Sequence, residues 1–356
     1  MAKKLKVAIV HDWLVGGGAE RVVEALHRMY PDAPIYTSYC TPDWQKRLDG
    51  KVVTGFLQRW PFSKLRKFVA PLRIWWFTHL DFSGYNLVIS SSGNGEAKGI
   101  RVPEGTTHVC YCHSPTHFYW RHYNLYIKNP GFGMLNPVAR LGLRLLVGPL
   151  RKWDLKASQR PDYYIANSSH IQADIKKYYG RDAVVINPPV DVERFAVAQP
   201  AKRDTFVIAG RQVPQKKFDL VVAACSKASL PLLVLGKGPE HKKLVAMAGP
   251  TVNFVEEVSD SEMPGLIAGT NAFIFPCFDD FGIIPVEAMA TGTPVIAFKA
   301  GGALDYVIPG KTGEFFDEQT IPAVRKALRN FDPKHYRPAV IQEHAAGFSA
   351  QVFRDK

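Results

Sequence analysis

Short β-branched runs alternate with amphipathic helical windows along this chain, and no other feature restricts its fold as strongly. Runs that read as strands lie at residues 7–10, 86–90, 109–112, 163–166 and 184–186. They recur at 206–209, 232–235, 252–255, 272–275 and 295–297. Between them, apolar residues recur at helical spacing at 19–29, 220–227, 239–248, 263–268 and 285–290. Strands apolar on both faces and separated by helices imply parallel sheets built from βαβ units. The 356 residues are too many for one ordinary domain and fit two of about 150–200 residues each. The seam falls at Asn187-Pro188-Pro189-Val190-Asp191, because paired prolines continue neither a helix nor a central strand. A polar, basic stretch at 199–203 follows. The expected fold class is therefore α/β, with two doubly wound, Rossmann-like domains facing across a cleft. Residues 1–187 would form the first and 188–340 the second, with a tail at 341–356 packing back on the first. Ligands of such sheets bind beyond the carboxyl ends of the strands.

Charge divides the chain. Residues 1–185 carry 26 Lys+Arg against 13 Asp+Glu, whereas 186–356 carry 19 of each, so the first half holds the whole net charge of +13. A basic first half points to a polyanion or an anionic membrane as its partner. With 46 % apolar and 22 % charged residues the chain builds cores and is not disordered. No run of eighteen uncharged apolar residues is present, which excludes a spanning helix. The basic start runs directly into the first strand and leaves no room for a secretory leader. Five cysteines, odd in number and without C-x-x-C or zinc spacing, fit a reduced, cytoplasmic protein.

Three strand-end loops have the composition of binding sites. Gly16-Gly17-Gly18 precedes the helix at 19–29 and allows a ligand close to the backbone, although the pattern is not G-x-G-x-x-G. The loop Gly210–Lys217 places Arg211 and Lys216 where they can clamp a diphosphate, or where they are simply a solvated basic loop. The third loop runs from Phe275 through Asp279, Asp280, Phe281, Gly282 and Ile283 to Glu287. Free amides at a helix start and carboxylates that accept vicinal hydroxyls suit a sugar or ribose, while the same acids also serve as helix caps. His113, after the run at 109–112, reads equally as a ligand-facing or a structural histidine.

Five blocks in order make the chain resemble retaining glycosyltransferases of family 4, with the GT-B fold. They are Val10–Leu14 with Gly17–Glu20, Cys112–Pro115, Gly210-Arg211 with Lys216, Gly236–Glu240, and Phe281-Gly282 with Glu287–Ala290. Within the family the chain is most similar to bacterial polysaccharide mannosyltransferases that use GDP-mannose. The resemblance implies that Glu287 holds the nucleotide ribose, and that Asp279 with the amides of Phe281, Gly282 and Ile283 holds the transferred sugar. It implies that Arg211 and Lys216 neutralise the diphosphate, that Gly236 lies in the nucleotide site, and that Gly17 and Gly18 border the phosphates and the acceptor. His113 would hydrogen-bond a sugar hydroxyl. No metal and no cofactor would be needed beyond the nucleotide-sugar substrate. Two places depart from the family pattern: Asp279 stands where relatives carry Glu, and Glu256-Glu257 where they often carry Gly and a basic residue. A UDP-sugar donor and a nucleotide-sugar 2-epimerase remain alternatives.

Residues 51–80 hold six Lys+Arg and no acid, interleaved with Phe56, Trp60, Phe62, Phe68, Trp75, Trp76 and Phe77. Cations beside indole rings suit an anionic inner-leaflet surface, and a second basic, apolar stretch at 140–156 fits the same use. The expected protein is peripheral on the inner face of the cytoplasmic membrane, with a lipid-linked or polysaccharide-precursor acceptor. Single-stranded nucleic acid would suit the same side chains, but no RNA-recognition or OB signature accompanies them, so no nucleic-acid partner is expected.

Overall fold

The computed structural model describes residues 5–66, 68–128, 133–198 and 204–356, and it divides into two compact units, Met1–Ile186 and Asn187–Lys356. Lys67 and the basic stretch 199–203 lie outside the described residues.

The first unit is built on seven strands: β1 (Val7–His11), β2 (Ile35–Thr37), β3 (Val52–Thr54), β4 (Leu87–Ser92), β5 (Thr107–Cys112), β6 (Tyr163–Ala166) and β7 (Val184–Val185). Their order is β3-β2-β1-β4-β5-β6-β7, and every pairing is parallel. All five residues of β1 are buried, as a strand covered on both faces requires. The helix Ala19–Met29 turns Val22, Val23, Ala25 and Leu26 to the core, the 3.6-residue stripe read from the sequence. The helix Ser169–Tyr179 is capped by the Ser168 hydroxyl, which accepts from the Ile171 amide, and it ends at left-handed Gly180.

The second unit repeats the plan with β8 (Phe206–Ala209), β9 (Leu232–Leu235), β10 (Val252–Val255), β11 (Ala272–Phe275), β12 (Val295–Phe298) and β13 (Gly313–Phe316). The order β10-β9-β8-β11-β12-β13, again all parallel, is the doubly wound arrangement. Part of the stretch read as a tail, 341–356, belongs to this second core. Ile341 and Ala345, on the helix Pro338–Ala346, are buried in it with Phe348 packed against it, and Ser349 bridges Val190. Apolar continuity with the helix Ile283–Ala290 holds them there.

The basic, aromatic stretch 51–80 splits by helix face. Trp76 and Phe77 pack in the core with Leu57, Phe82 and Val88, and Arg73 is buried with Glu96 at 2.7 Å. These three belong to the core part of the stretch. The exposed apolar residues of the stretch include Trp60 (75 % accessible), Leu65, Phe68, Leu72 and Trp75, and Lys51, Arg59 and Lys64 are exposed as well. Along the helix Asn136–Ser158, Val138, Leu141 and Leu145 form a second exposed stripe. Among the described residues no helix is long and apolar enough to cross a membrane.

Candidate active site

A doubly wound sheet opens where its strand order reverses, between β1 and β4 in the first unit and between β8 and β11 in the second.

At the first of these points His11 ends β1 in register with Ser91 of β4. His11 Nδ1 lies 2.9 Å from the Ser91 carbonyl, which only accepts, so Nδ1 carries the hydrogen. The Ser91 hydroxyl lies 2.7 Å from His113 Nε2 and links the two rings. Burial, reinforced by His11, lowers the pKa of His113 to about 3. His113 is thus a neutral hydrogen-bonding ring and not a cation. Asp12 is buried next to it, and its carboxylate accepts from the amides of Gly93, Asn94 and Ala97, each at 2.8 Å. The loop after β4 is thereby tied to the end of β1.

The glycine loop is closed from inside. Glu20 accepts from the amides of Val15 at 3.2 Å and Gly16 at 2.9 Å, and a Cβ on Gly17 would stand 3.1 Å from its carboxylate. A larger residue at Gly17 would displace that cap. A further network passed unnoticed in the sequence. Asp154, fully buried, accepts from Lys98 at 2.5 Å, Thr116 at 2.8 Å, Trp120 at 2.7 Å and Tyr179 at 2.9 Å. It fixes the loop that begins at His113 to the helix Asn136–Ser158. The available signal was its isolation, since Asp154 is the single acid among five Lys+Arg on that helix.

In the second unit Gly210, Arg211, Lys216, Asp279, Gly282 and Ile283 line one small pocket, so five of the residues singled out from sequence come together there. Lys216 Nζ and Asp279 Oδ2 are 2.6 Å apart, each about one-third exposed. Burial works against the Lys216 charge, but Asp279, Cys277 and Asp280 together outweigh it and hold the ammonium above its usual pKa. Gly282 has φ +88°, a left-handed conformation that starts the helix Ile283–Ala290. A Cβ there would come within 2.8 Å of Phe275 and 2.9 Å of the Tyr306 hydroxyl. Phe281 is buried under the turn, edge-on to Tyr306 at 5.5 Å. Glu287 lies further along the helix, mostly buried, with Arg194 at 3.8 Å. Cys277 is buried beside Lys216, and burial pushes its thiol up to about 12. Cys40, Cys110, Cys112, Cys225 and Cys277 are all buried.

The strand-end loops lie backbone against backbone. A Cβ on Gly236 would stand 2.5 Å from the Gly210 carbonyl, and one on Gly238 would overlap the Gln212 carbonyl. Gly236 thus serves loop packing, which sequence reasoning had not anticipated. Gly301 and Gly302 likewise meet the backbone of Asp279 and Phe281, and the Gly302 amide donates to the Asp279 carbonyl at 3.0 Å. Buried Gln212 joins the first two loops. Its side-chain amide donates to the Gly236 carbonyl at 2.5 Å and its carbonyl oxygen meets His241 Nδ1 at 2.9 Å. Glu256 and Glu257 pair with His241 at 3.3 Å and Lys237 at 2.7 Å. Among the described residues no group of three or more His, Cys, Asp or Glu is placed to hold a metal ion.

Comparison with known proteins agrees with this double plan. A model described as "Glycosyltransferase Family 4" matches residues 16–194, and one described as "Glycosyl transferases group 1" matches 190–333. A GDP-mannose-dependent alpha-(1-6)-phosphatidylinositol monomannoside mannosyltransferase of Mycolicibacterium smegmatis is 27 % identical over 237 residues, 57 % of this chain and 59 % of that protein. A D-inositol 3-phosphate glycosyltransferase of a Nocardioides species is 28 % identical over 208 residues, 50 % of this chain and 45 % of that protein. The chain spans about half the length of the curated relatives it matches. Among solved structures, Anabaena HepE in complex with UDP superposes with a TM-score of 0.69 at 17 % identity, covering 99 % of this chain and 98 % of that one. The sucrose-phosphate synthase of Thermosynechococcus elongatus gives the same TM-score, 0.69, and the same identity, 17 %, over 98 % of this chain and 96 % of its own. Two family models that together run from residue 16 to residue 333, over two all-parallel doubly wound sheets, establish that the chain belongs to glycosyltransferase family 4 and has the GT-B fold.

Proposed function

We propose that this chain is a retaining hexosyltransferase that moves mannose from GDP-mannose to a lipid-linked or polysaccharide-precursor acceptor. The observation that carries the reading is the Lys216–Asp279 pair at the left-handed Gly282 turn. It puts a cation for phosphate and a carboxylate for sugar hydroxyls 2.6 Å apart at the start of a helix, where free amides face outward. The relatives named as GDP-mannose-dependent support the choice of donor.

In this reading Arg211 and Lys216 take the diphosphate, Asp279 and the amides of Phe281, Gly282 and Ile283 take the hexose, and Glu287 takes the ribose hydroxyls. Gly236 shapes the nucleotide loop through its contact with Gly210. In the first unit Gly17 and Gly18 border the phosphates and acceptor, and the neutral His113 ring offers a hydrogen bond to a sugar hydroxyl. The acceptor oxygen bonds the anomeric carbon on the face from which the diphosphate departs. The electron pair of the broken C–O bond goes to the β-phosphate oxygen, and the acceptor proton follows it to the leaving diphosphate. Arg211 and Lys216 meet that charge in place of a metal.

The membrane reading rests on exposed Trp60, Phe68, Leu72 and Trp75 and on exposed Lys51, Arg59 and Lys64, together with the stripe Val138, Leu141 and Leu145 flanked by Arg140 and Arg144. Indole rings and cations on one surface favour an anionic inner leaflet, where a lipid acceptor is presented to a peripheral, cytoplasmic enzyme.

A thermal-shift panel of GDP-, UDP- and ADP-sugars tests the donor. A ligand at about a hundred times its Kd adds about 2.7 kcal/mol to the folded state. GDP-mannose is expected to raise the midpoint most, with release of GDP when acceptor is added. Stabilisation by UDP-sugars alone would overturn the donor assignment, and isomerisation of the donor without acceptor would make the protein an epimerase.

A further inference from the structure

Behind the donor turn stands a hydroxyl that the site as described does not use. Tyr306 closes the short helix Ala303–Tyr306 and is completely buried, with its ring against Phe281 and Phe348. Its Oη has no hydrogen-bond partner among the described residues. A buried hydroxyl without a partner is unfavourable, and native proteins hold few of them. Burial, with Asp279 next, raises the Tyr306 pKa well above its ordinary value, so the group stays a donor.

Its position connects that unused donor to the sugar loop. The hydroxyl lies against Gly282, 2.9 Å from the place a Cβ would take, and only the absence of a side chain there leaves it room. The helix that carries Tyr306 starts at Gly301-Gly302, which press on the backbone of Asp279 and Phe281 and bond the Asp279 carbonyl. The 279–282 turn is therefore held in front by the 301–302 glycines and backed by Tyr306. Asp279 is engaged by Lys216 at 2.6 Å. A diphosphate would draw Lys216 away and a sugar would draw Asp279 forward, and both changes rearrange this turn.

Building on the donor reading above, we infer that Tyr306 is a positioning residue whose hydroxyl makes its hydrogen bond to the 279–282 turn only when a donor sugar is seated. The nucleoside diphosphate alone does not need it.

The test is Tyr306→Phe, which removes one oxygen and keeps the ring. Thermal unfolding without ligand should show a midpoint equal to or above wild type, since no bond is lost. GDP affinity by calorimetry should stay within about twofold, while GDP-mannose affinity or turnover falls about tenfold, the worth of one hydrogen bond. Tyr336→Phe provides the contrast. Its hydroxyl already donates to Glu314 at 2.6 Å, so that variant should lose stability and keep donor binding. A lower midpoint for Tyr306→Phe would show that the hydroxyl is bonded without donor and would overturn the inference. Unchanged GDP-mannose binding and turnover in Tyr306→Phe would overturn it too, while leaving the donor reading intact. A wild type that binds no nucleotide sugar would remove both.

Discussion

Acid should unfold the first unit well before its carboxylates are neutralised, because histidines whose pKa the fold lowers must take up protons. His108, on β5, is wholly buried; Nε2 meets the Ser90 hydroxyl at 2.8 Å and Nδ1 has no partner among the described residues. Burial lowers its pKa to about 3, only partly opposed by Asp162. His113 is lowered to about 3 and His117 to about 4, burial again the chief cause. In the unfolded chain each titrates near about 6.5. The folded values are the lower ones, so the unfolded state binds more protons below about pH 6.5, and stability falls with pH until the folded values are reached. One pKa unit is about 1.36 kcal/mol, so from about pH 6.5 to about pH 5 each histidine removes about 2 kcal/mol and the three together about 6. That loss rivals the whole stability of an ordinary domain, about 5–15 kcal/mol. Urea unfolding followed by tryptophan fluorescence across this range, at constant ionic strength, should show stability falling with pH, by about 1.4 kcal/mol per pH unit for each such histidine. His108→Gln should reduce the slope by one proton's worth, about 1.4 kcal/mol per pH unit. A stability that stays flat from about pH 7 to about pH 5.5, or an unchanged slope in His108→Gln, would refute the reasoning.

Three further outcomes are expected. Arg211→Ala or Lys216→Ala should each slow turnover about a hundredfold, since removing one fixed donor from developing charge costs about 2.7–4 kcal/mol. The double variant should lose less than the product, and EDTA should change little; activity abolished by EDTA and restored by magnesium would exclude the cation pair as the main electrophile. Glu287→Ala should weaken donor binding in calorimetry by about 1.5–3 kcal/mol per ribose hydrogen bond lost, and unchanged affinity would remove Glu287 from the ribose site. Lys64→Ser with Arg59→Ser should release the protein from anionic vesicles at about 1 kcal/mol per charge, whereas wild type that binds neutral vesicles equally well would defeat the membrane reading.

The central strands were legible because a strand buried on both faces has to be a continuous apolar run, as β1, β8 and β11 are. β2, β3 and β13 escaped. They are three or four residues long, two of them are sheet edges, and their flanking Pro34, Gly50 and Gly310 read as turns. The helix read from Pro285 starts at Ile283, since a proline in the first turn gives up only an amide that has no helical partner. Lys216, Asp279 and Gly282 were visible because strand ends announce themselves in sequence. Tyr306, Gln212 and Asp154 were not, because their partners are set by loops far apart in the chain. Trp75 and Trp76 carry the same lesson in miniature. They are adjacent in sequence, yet the 100° step of the helix sends Trp76 inward with Arg73 and Phe77 and leaves Trp75 outward.

Glycine contacts between the strand-end loops of the second unit also bear on how such a site diverges and how it can be re-engineered. Gly236 lies on Gly210, Gly238 on Gln212, and Gly301 and Gly302 on Asp279 and Phe281, so the loops form a laminate with no side chains between the sheets of backbone. A loop grafted from another member of the family would carry its own backbone path and would delaminate its neighbour unless the facing glycine came with it. Donor preference is therefore better altered by exchanging loops in facing pairs, 210–212 with 236–238 and 279–282 with 299–302. Drift by single substitutions is confined to side chains that project away from the stack, such as Arg211 and Lys237. Recombination at this site has a grain, and it runs across the loops.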